Sequence, residues 1–303
     1  MIKKKVFEEV EVPVPGEVGE LQISEVAEVA EIPEEEIPQL TGGAEDVWED
    51  EESGNVLEDA TADSPFFQFT PEAAEVAGLK VLVYGASGSG KTHFAGTFPR
   101  PLFLDLEGGM RPVAGMGVLR WPAPGASVSS ITQVKTFWQL VKAALKEKEM
   151  HGVDPGFDTI VIDGLNELQD LVMRNVIDTF PARRQYEDQP VQADYGKANR
   201  DLLTMVRLFL KFPCHVVFTC NEVYQEADLE GKYGPKLVGR AATPEIMRLV
   251  DMVGRCYTYR ETQDGPVIHG LIFEDSPTQY GKDRIGMRDP VVANSFDAMA
   301  AQL

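Results

Sequence analysis

The feature that most constrains the fold is a glycine-rich loop between a predicted strand and a predicted helix in residues 80–99. The segment reads KVLVYGASGSGKTHFAGTFP and matches the phosphate-binding pattern G-x-x-x-x-G-K-[ST] in full, with β-forming residues before the loop. Glycines adopt backbone conformations that other residues avoid, so successive N–H groups can turn inward around a phosphate. At typical residue usage, the four fixed positions match by chance in roughly one chain of this length in a hundred. The sequence therefore predicts a nucleotide site in an α/β fold.

The residues of this loop have separate predicted roles. Lys91 is expected to reach the β- and γ-phosphates and so to act in catalysis, and the Thr92 hydroxyl is expected to coordinate Mg²⁺. The expected ligands are accordingly ATP and Mg²⁺. The nucleotide is predicted to contact Gly85, Ala86, Ser87, Gly88, Ser89, Gly90, Lys91, Thr92 and His93.

Two carboxylates follow predicted buried strands. Asp163 comes directly after the run TIVI, a Walker B pattern that is typical of a strand delivering a metal-binding carboxylate beside the loop. Glu107 follows a predicted strand at 102–106, and ligands bind at the carboxyl ends of strands in open α/β sheets. Glu107 either orients or deprotonates an attacking water, or it caps a glycine turn. Sequence spacing leaves these two interpretations open.

Polar and basic residues follow the later strands. Asn221 ends a predicted strand at 214–220, where it is placed to sense a γ-phosphate. The segment 224–243 combines glycines, basic residues and Tyr233, which suits a mobile loop contacting single-stranded DNA or, equally, a solvated surface loop.

Lys282 and Arg284 lie two apart in an extended segment and share one face. They either reach a nucleotide held by an adjacent subunit or form an ordinary basic surface.

Charge divides the chain into two predicted parts. Of the net charge of −21 over 303 residues, residues 1–64 contribute 20 acidic and three basic residues, which leaves −4 for residues 65–303. Prolines and repelling carboxylates interrupt the apolar residues of the first part, so we expect a disordered acidic tail at 1–64 and one folded domain at 65–303. The tail either competes with nucleic acid or docks on a partner, or it only keeps the chain soluble.

Further patterns predict secondary structure and location. Helices are predicted at 130–150, 165–180 and 195–212, antiparallel strands at 251–261 and 267–273, and a short helix at 294–303. No apolar run approaches the roughly 20 residues that span a bilayer. Acidic residues also follow the basic start, where a signal peptide needs apolar ones. From the lack of a spanning run we expect no membrane association. The three cysteines lack metal-ligand spacing, which fits a protein of the reducing cytoplasm.

The ordered set of motifs resembles the core of RecA/RadA-type recombinase ATPases over about residues 75–290. More narrowly, it is similar to phage-encoded nucleotide-binding proteins that act in single-strand annealing and recombination. The resemblance implies a RecA-like P-loop NTPase core, α/β in class, with a mostly parallel central sheet and antiparallel C-terminal strands. It also implies a homo-oligomer in which neighbours share the ATP site, in the cytoplasm of a host cell.

The resemblance assigns roles to individual positions. The catalytic glutamate matches Glu107, the Walker B aspartate matches Asp163, and the sensor matches Asn221 or Glu222. The two DNA-binding loops match 181–192 and 224–243, and a finger inserted from the neighbour matches Lys282 and Arg284.

These expectations lead to a first hypothesis and two alternatives. The first is an ATPase, stimulated by DNA, that binds single-stranded DNA and promotes annealing or strand exchange in phage recombination or replication, with a single-strand-binding or replication protein as candidate partner. The second, favoured by the acidic tail and the weakly charged core, is an ATP-dependent switch for protein assembly without nucleic acid. A small-molecule kinase is the third, and the absence of an arginine-rich lid in the sequence disfavours it.

Overall fold

The computed structural model describes residues 78–180, 189–225, 231–239 and 241–302. The predicted acidic tail at 1–64 lies outside these residues. So do positions 181–188 of the first predicted DNA-binding loop and positions 226–230 and 240 of the second. In the described part of the chain, no helix is long and apolar enough to cross a membrane.

Strands and helices alternate through most of the described chain. The strands are β1 (Lys80–Gly85), β2 (Pro101–Asp105), β3 (Leu119–Trp121), β4 (Thr159–Asp163), β5 (His215–Gln225), β6 (Lys232–Pro235), β7 (Met252–Tyr259), β8 (Ile268–Ile272), β9 (Lys282–Asp283) and β10 (Val291–Ala293). The helices are α1 (Lys91–Gly96), α2 (Ile131–His151), α3 (Leu165–Thr179), α4 (Gln192–Leu210), α5 (Ala242–Leu249) and α6 (Phe296–Ala300).

Eight of the strands lie side by side in the order β10-β8-β7-β1-β5-β4-β2-β3, while β6 pairs with the end of β5 and β9 pairs with β7. In this order, every pair of adjacent strands between β7 and β3 is parallel. By contrast, β8 pairs antiparallel with β7, and β10 pairs antiparallel with β8. The structure therefore confirms the predicted α/β class, with a mostly parallel central sheet and antiparallel C-terminal strands.

The central strands are buried on both faces, which explains their unbroken apolar sequences. In β1, Val81 and Val83 belong to a cluster with Phe94 of α1 and Met299 of α6. The alternate side chains, such as Leu82, are fully buried on the opposite face. Each buried side chain of this size stabilises the fold by roughly 1.5–3 kcal/mol. The loop between β1 and α1 is thus anchored on both sides by the core.

The long predicted helices and the C-terminal hairpin are confirmed. Besides its predicted antiparallel pairing with β8, the strand β7 also pairs in parallel with β1. One prediction needs correction. The segment 224–243, predicted as a mobile loop, contains the end of β5, all of β6 and the start of α5. Its two tyrosines hold the β5–β6 pair together, because Tyr224 contacts Tyr233 across the strands with ring centroids 4.9 Å apart.

Candidate nucleotide-binding site

The glycine-rich loop connects β1 directly to α1, as its sequence predicts. Gly88 and Gly90 have φ angles of +77° and +101°, which glycine adopts without strain. No atom lies within 4 Å of the position that a Cβ would take at Gly88, so this side of the loop is open. The open backbone is what a close approach by a phosphate requires.

Lys91 lies inside this loop and is 7% exposed. Its Nζ donates hydrogen bonds to the carbonyl oxygens of Gly85 and Ala86, each at 3.0 Å. The loop thereby holds the ammonium group at its rim. An incoming phosphate would find this positive charge already in position to pair with it.

Asp163 ends β4 beside the first turn of α1. The hydroxyl groups of Thr219 and Thr92 donate to its Oδ1 atom at 2.6 and 3.3 Å. The carboxyl is 1% exposed, and its Oδ2 has no hydrogen-bond partner among the described residues. Burial raises the pKa of this carboxyl, and the two hydroxyl donors oppose the shift. A buried, unpartnered carboxylate oxygen next to a threonine hydroxyl fits Mg²⁺, which prefers hard oxygen ligands.

Glu107 lies in the turn that follows β2. The main-chain N–H groups of Leu106 and Glu107 donate to the carbonyl oxygen of Asp163, at 2.8 and 3.3 Å. The Gly108 N–H donates to Asp105 Oδ1 at 2.7 Å, and Asp105 also forms an ion pair with Arg120 of β3 at 2.9 Å. These bonds fix the turn against β4, and they bring the two predicted carboxylates, Glu107 and Asp163, to one place.

A second glutamate lies against Glu107. The Glu167 carboxyl, in the first turn of α3, lies close enough to the Glu107 carboxyl for a hydrogen bond between them. Burial, followed by the charges of Glu167 and Asp163, raises the pKa of Glu107 to about 7, and Lys91 opposes this shift. Sequence interpretation did not include Glu167, although its position four residues after Asp163 places it one helical turn into α3.

These residues surround a cleft of about 590 Å³. Eight predicted site residues line it, namely Ser87, Gly88, Gly90, Lys91, Thr92, His93, Glu107 and Asn221. Asn221 is held in place through its main chain, because its N–H donates to Asn166 Oδ1 at 2.8 Å and its carbonyl accepts from Lys236 N–H at 2.7 Å. Most of the predicted nucleotide positions, the sensor position and Thr92 of the predicted metal pair therefore lie at one cavity, and Asp163 contacts it through Thr92.

Two further cleft residues come from the C-terminal part of the chain. His269 of β8 donates from Nδ1 to the Ser89 carbonyl at 3.0 Å, and Asn294 donates from Nδ2 to the Gly90 carbonyl at 3.1 Å. Both side chains line the cleft. Neither residue carries a recognisable motif, and 180 or more positions separate them from the loop, so sequence interpretation missed them.

Lys282 and Arg284 lie apart from the residues that line the cleft. The Lys282 ammonium group donates to the carbonyl oxygens of Met247, Arg248 and Val250 at the C-terminal end of α5. The Arg284 guanidinium donates to the Arg248 carbonyl at 3.0 Å. The two side chains share one face, as predicted, but they contact their own chain. Their action on a neighbouring subunit stays a prediction.

The described part of the second predicted DNA-binding loop shows little free positive charge. Lys232 forms an ion pair with Asp275 at 2.9 Å and lies over the Tyr280 ring, 4.5 Å from its centroid. Lys236 is exposed. The other basic residues of the two predicted loops, Arg183, Arg184 and Arg240, lie outside the described residues.

The chain is similar to several known proteins. The family model described as AAA domain matches residues 77–285. The SPbeta prophage-derived uncharacterized protein YorG of Bacillus subtilis (strain 168) is 28% identical over 182 residues, which make up 59% of this chain and 52% of that protein. The chain thus spans about half the length of this curated relative. A KaiC-like protein from Pyrococcus horikoshii OT3 is 15% identical, with a TM-score of 0.36, over 64% of this chain and 78% of that chain.

Replacing Lys282 by methionine tests its structural role. We expect Lys282→Met to lower the free energy of unfolding by about 1–3 kcal/mol, because carbonyl groups at the end of α5 lose their donor. Urea denaturation followed by circular dichroism measures the change. Lys146→Met, at an exposed position of α2, is the matched control. Equal unfolding midpoints for the two variants would contradict the role.

Proposed function

The chain belongs to the AAA domain family and is a P-loop ATPase, and on that premise we propose that it uses ATP to control its binding of single-stranded DNA in phage recombination or replication. One observation carries the ATPase part of the proposal. A single cleft brings Lys91 and Thr92 of the loop together with Glu107, and Asp163 lies hydrogen-bonded behind Thr92.

Each of these residues has a definite task in the proposed hydrolysis. Lys91 neutralises charge on the β- and γ-phosphates, while the loop backbone binds them. Thr92 and Asp163 would hold Mg²⁺, which supplies charge neutralisation to the phosphates when it is bound. Glu107 accepts a proton from the attacking water, and Asn221 senses the γ-phosphate at the end of β5. His269 and Asn294 hold the loop carbonyls in place.

The DNA-binding part of the proposal rests on the sequence resemblance and on the prophage origin of YorG. We propose contacts through 181–192 and 224–243, with aromatic stacking by Tyr224, which is 49% exposed. The protein acts as a homo-oligomer in the host cytoplasm, with Lys282 and Arg284 completing a neighbour's ATP site. A single-strand-binding or replication protein is the proposed partner of the acidic tail.

A second candidate function is an ATP-dependent switch for protein assembly. The observation that favours it is the weak positive charge of the described surface, where Lys232 is paired with Asp275. A nucleic-acid binder usually presents a basic face.

Two substitutions in the cleft test the ATPase mechanism. Lys91→Ala should abolish both tight ATP binding and turnover, because the phosphates lose their cation. Glu107→Gln should leave ATP binding intact and lower kcat by about 100- to 10,000-fold, the usual contribution of a general base. Isothermal titration with ATP and a phosphate-release assay measure the two effects. A Glu107→Gln protein with normal turnover would remove Glu107 from the mechanism.

Fluorescence anisotropy with labelled oligo-dT separates the two functions. We expect ATP-dependent binding that weakens as salt increases, because phosphate contacts release counterions. The same titration without nucleotide and with ADP gives the nucleotide dependence. If the oligonucleotide stays free at low salt in all three states, the assembly switch is the better description.

Mixing two inactive variants tests the shared site. In the proposed oligomer, a Lys91→Ala subunit still supplies Arg284 to its neighbour, and an Arg284→Ala subunit still supplies an intact loop. We therefore expect Arg284→Ala alone to lose turnover and the mixture to regain part of it. A misfolded Arg284→Ala subunit would have no intact loop to supply, so misfolding cannot produce this rescue. Normal turnover by Arg284→Ala alone would rule out the shared site.

A further inference from the structure

The main chain of Glu107 is held more firmly than its side chain. Hydrogen bonds from Leu106 and Glu107 to the Asp163 carbonyl, and from Gly108 to Asp105, fix the turn on β4. The residue as a whole is exposed, although its carboxyl group is partly desolvated where it lines the cleft. A long, exposed glutamate side chain samples several rotamers unless another group restrains it. A single direction of the Glu107 carboxyl therefore requires a side-chain contact.

That contact is made above Gly164, the residue between β4 and α3. Gly164 has a φ angle of +157°, and a Cβ at this position would overlap the carboxyl groups of both Glu107 and Glu167. The missing side chain leaves room for the two carboxyl groups to meet. They lie within hydrogen-bonding reach of each other there.

The first turn of α3 reduces the electrostatic repulsion between the two carboxyl groups. Gly164 is the N-cap residue and has no side chain with which to cap the helix. Free N–H groups at a helix start favour negative charge, so two neighbouring carboxyl groups repel each other less here than elsewhere. The Oε2 atom of Glu167 and the Oε1 atom of Glu107 are the two oxygens that meet above Gly164, and Glu167 Oε2 has no other hydrogen-bond donor within the described chain.

We propose that Glu167 is a positioning residue that orients the Glu107 carboxyl toward the water that attacks ATP. This inference rests on the proposed ATPase function and adds a residue to it. Glu167 does not line the cleft, whereas Glu107 does, so Glu167 acts through Glu107. The proton of the water still passes to Glu107, and Glu167 restrains the carboxyl that receives it.

A purely structural role for Glu167 predicts a different result. A glutamate that only stabilises the start of α3 by its charge would lower the melting temperature when replaced, and alanine and glutamine would act alike. A positioning residue needs a hydrogen-bonding group of the right length. Glutamine supplies one, since its amide donates to the Glu107 carboxylate, and alanine does not.

The test compares Glu167→Ala, Glu167→Gln and the control Asp170→Ala, which lies exposed on the same helix. We expect Glu167→Ala to lower kcat by about 10- to 100-fold, the usual effect of a misplaced reacting group. Glu167→Gln and Asp170→Ala should keep kcat near that of the unmodified protein. ATP affinity, measured by titration calorimetry, should be unchanged in all three variants.

A double substitution tests whether Glu167 acts through Glu107. In a Glu107→Gln background, measured in single turnovers, adding Glu167→Ala should cause no further loss, because the carboxyl to be oriented is gone. Wild-type kcat in Glu167→Ala, equal losses in Glu167→Ala and Glu167→Gln, or additive losses in the double variant would each overturn the inference. Turnover that depends on Lys91 but not on Glu167 would overturn this inference alone. A wild-type protein without turnover would overturn the proposed function as well.

Discussion

The cleft depends on the parallel pairing of β4 between β2 and β5. This register aligns Asp163 with Asp105 on one side and with Thr219 on the other. Asp163 then uses its carbonyl to hold the turn of Glu107 and its carboxylate to accept from Thr219 and Thr92. A shift of one residue in this pairing would turn every side chain of β4 to the opposite face. One strand register thus sets the positions of Asp163, Glu107 and Thr92 together.

The local parts of this arrangement could be predicted from the sequence. The strands β1 and β4 are continuous apolar runs because both faces of the sheet are covered, and each ends at a polar or glycine residue that marks the functional edge. The loop pattern is contiguous, so its geometry needs no distant residue. Glu107 could be placed because the ends of neighbouring parallel strands meet at one edge.

The remaining site residues depend on contacts that no local pattern encodes. Glu167 follows Asp163 closely, but its importance appears only when the turn of Glu107 is seen above Gly164. His269 and Asn294 reach the loop from the antiparallel strands, whose position beside β1 depends on the parallel β1–β7 pair. Lys282 and Arg284 fit a known pattern of intersubunit fingers, yet here they also close the end of α5. A short pattern cannot distinguish a contact within the chain from one between chains.

The bonds from His269 and Asn294 to the loop have a consequence for how the protein folds. Asn294 and Gly90 are 204 positions apart, so this part of the loop stays unsupported until nearly the whole described chain has been synthesised. Long-range contacts of this kind form late, because closing a large chain segment carries an entropic penalty. A growing chain that already contains the complete glycine-rich sequence therefore lacks a finished nucleotide site. A nucleotide bound at this loop would then stabilise only chains in which the antiparallel strands have already docked on it.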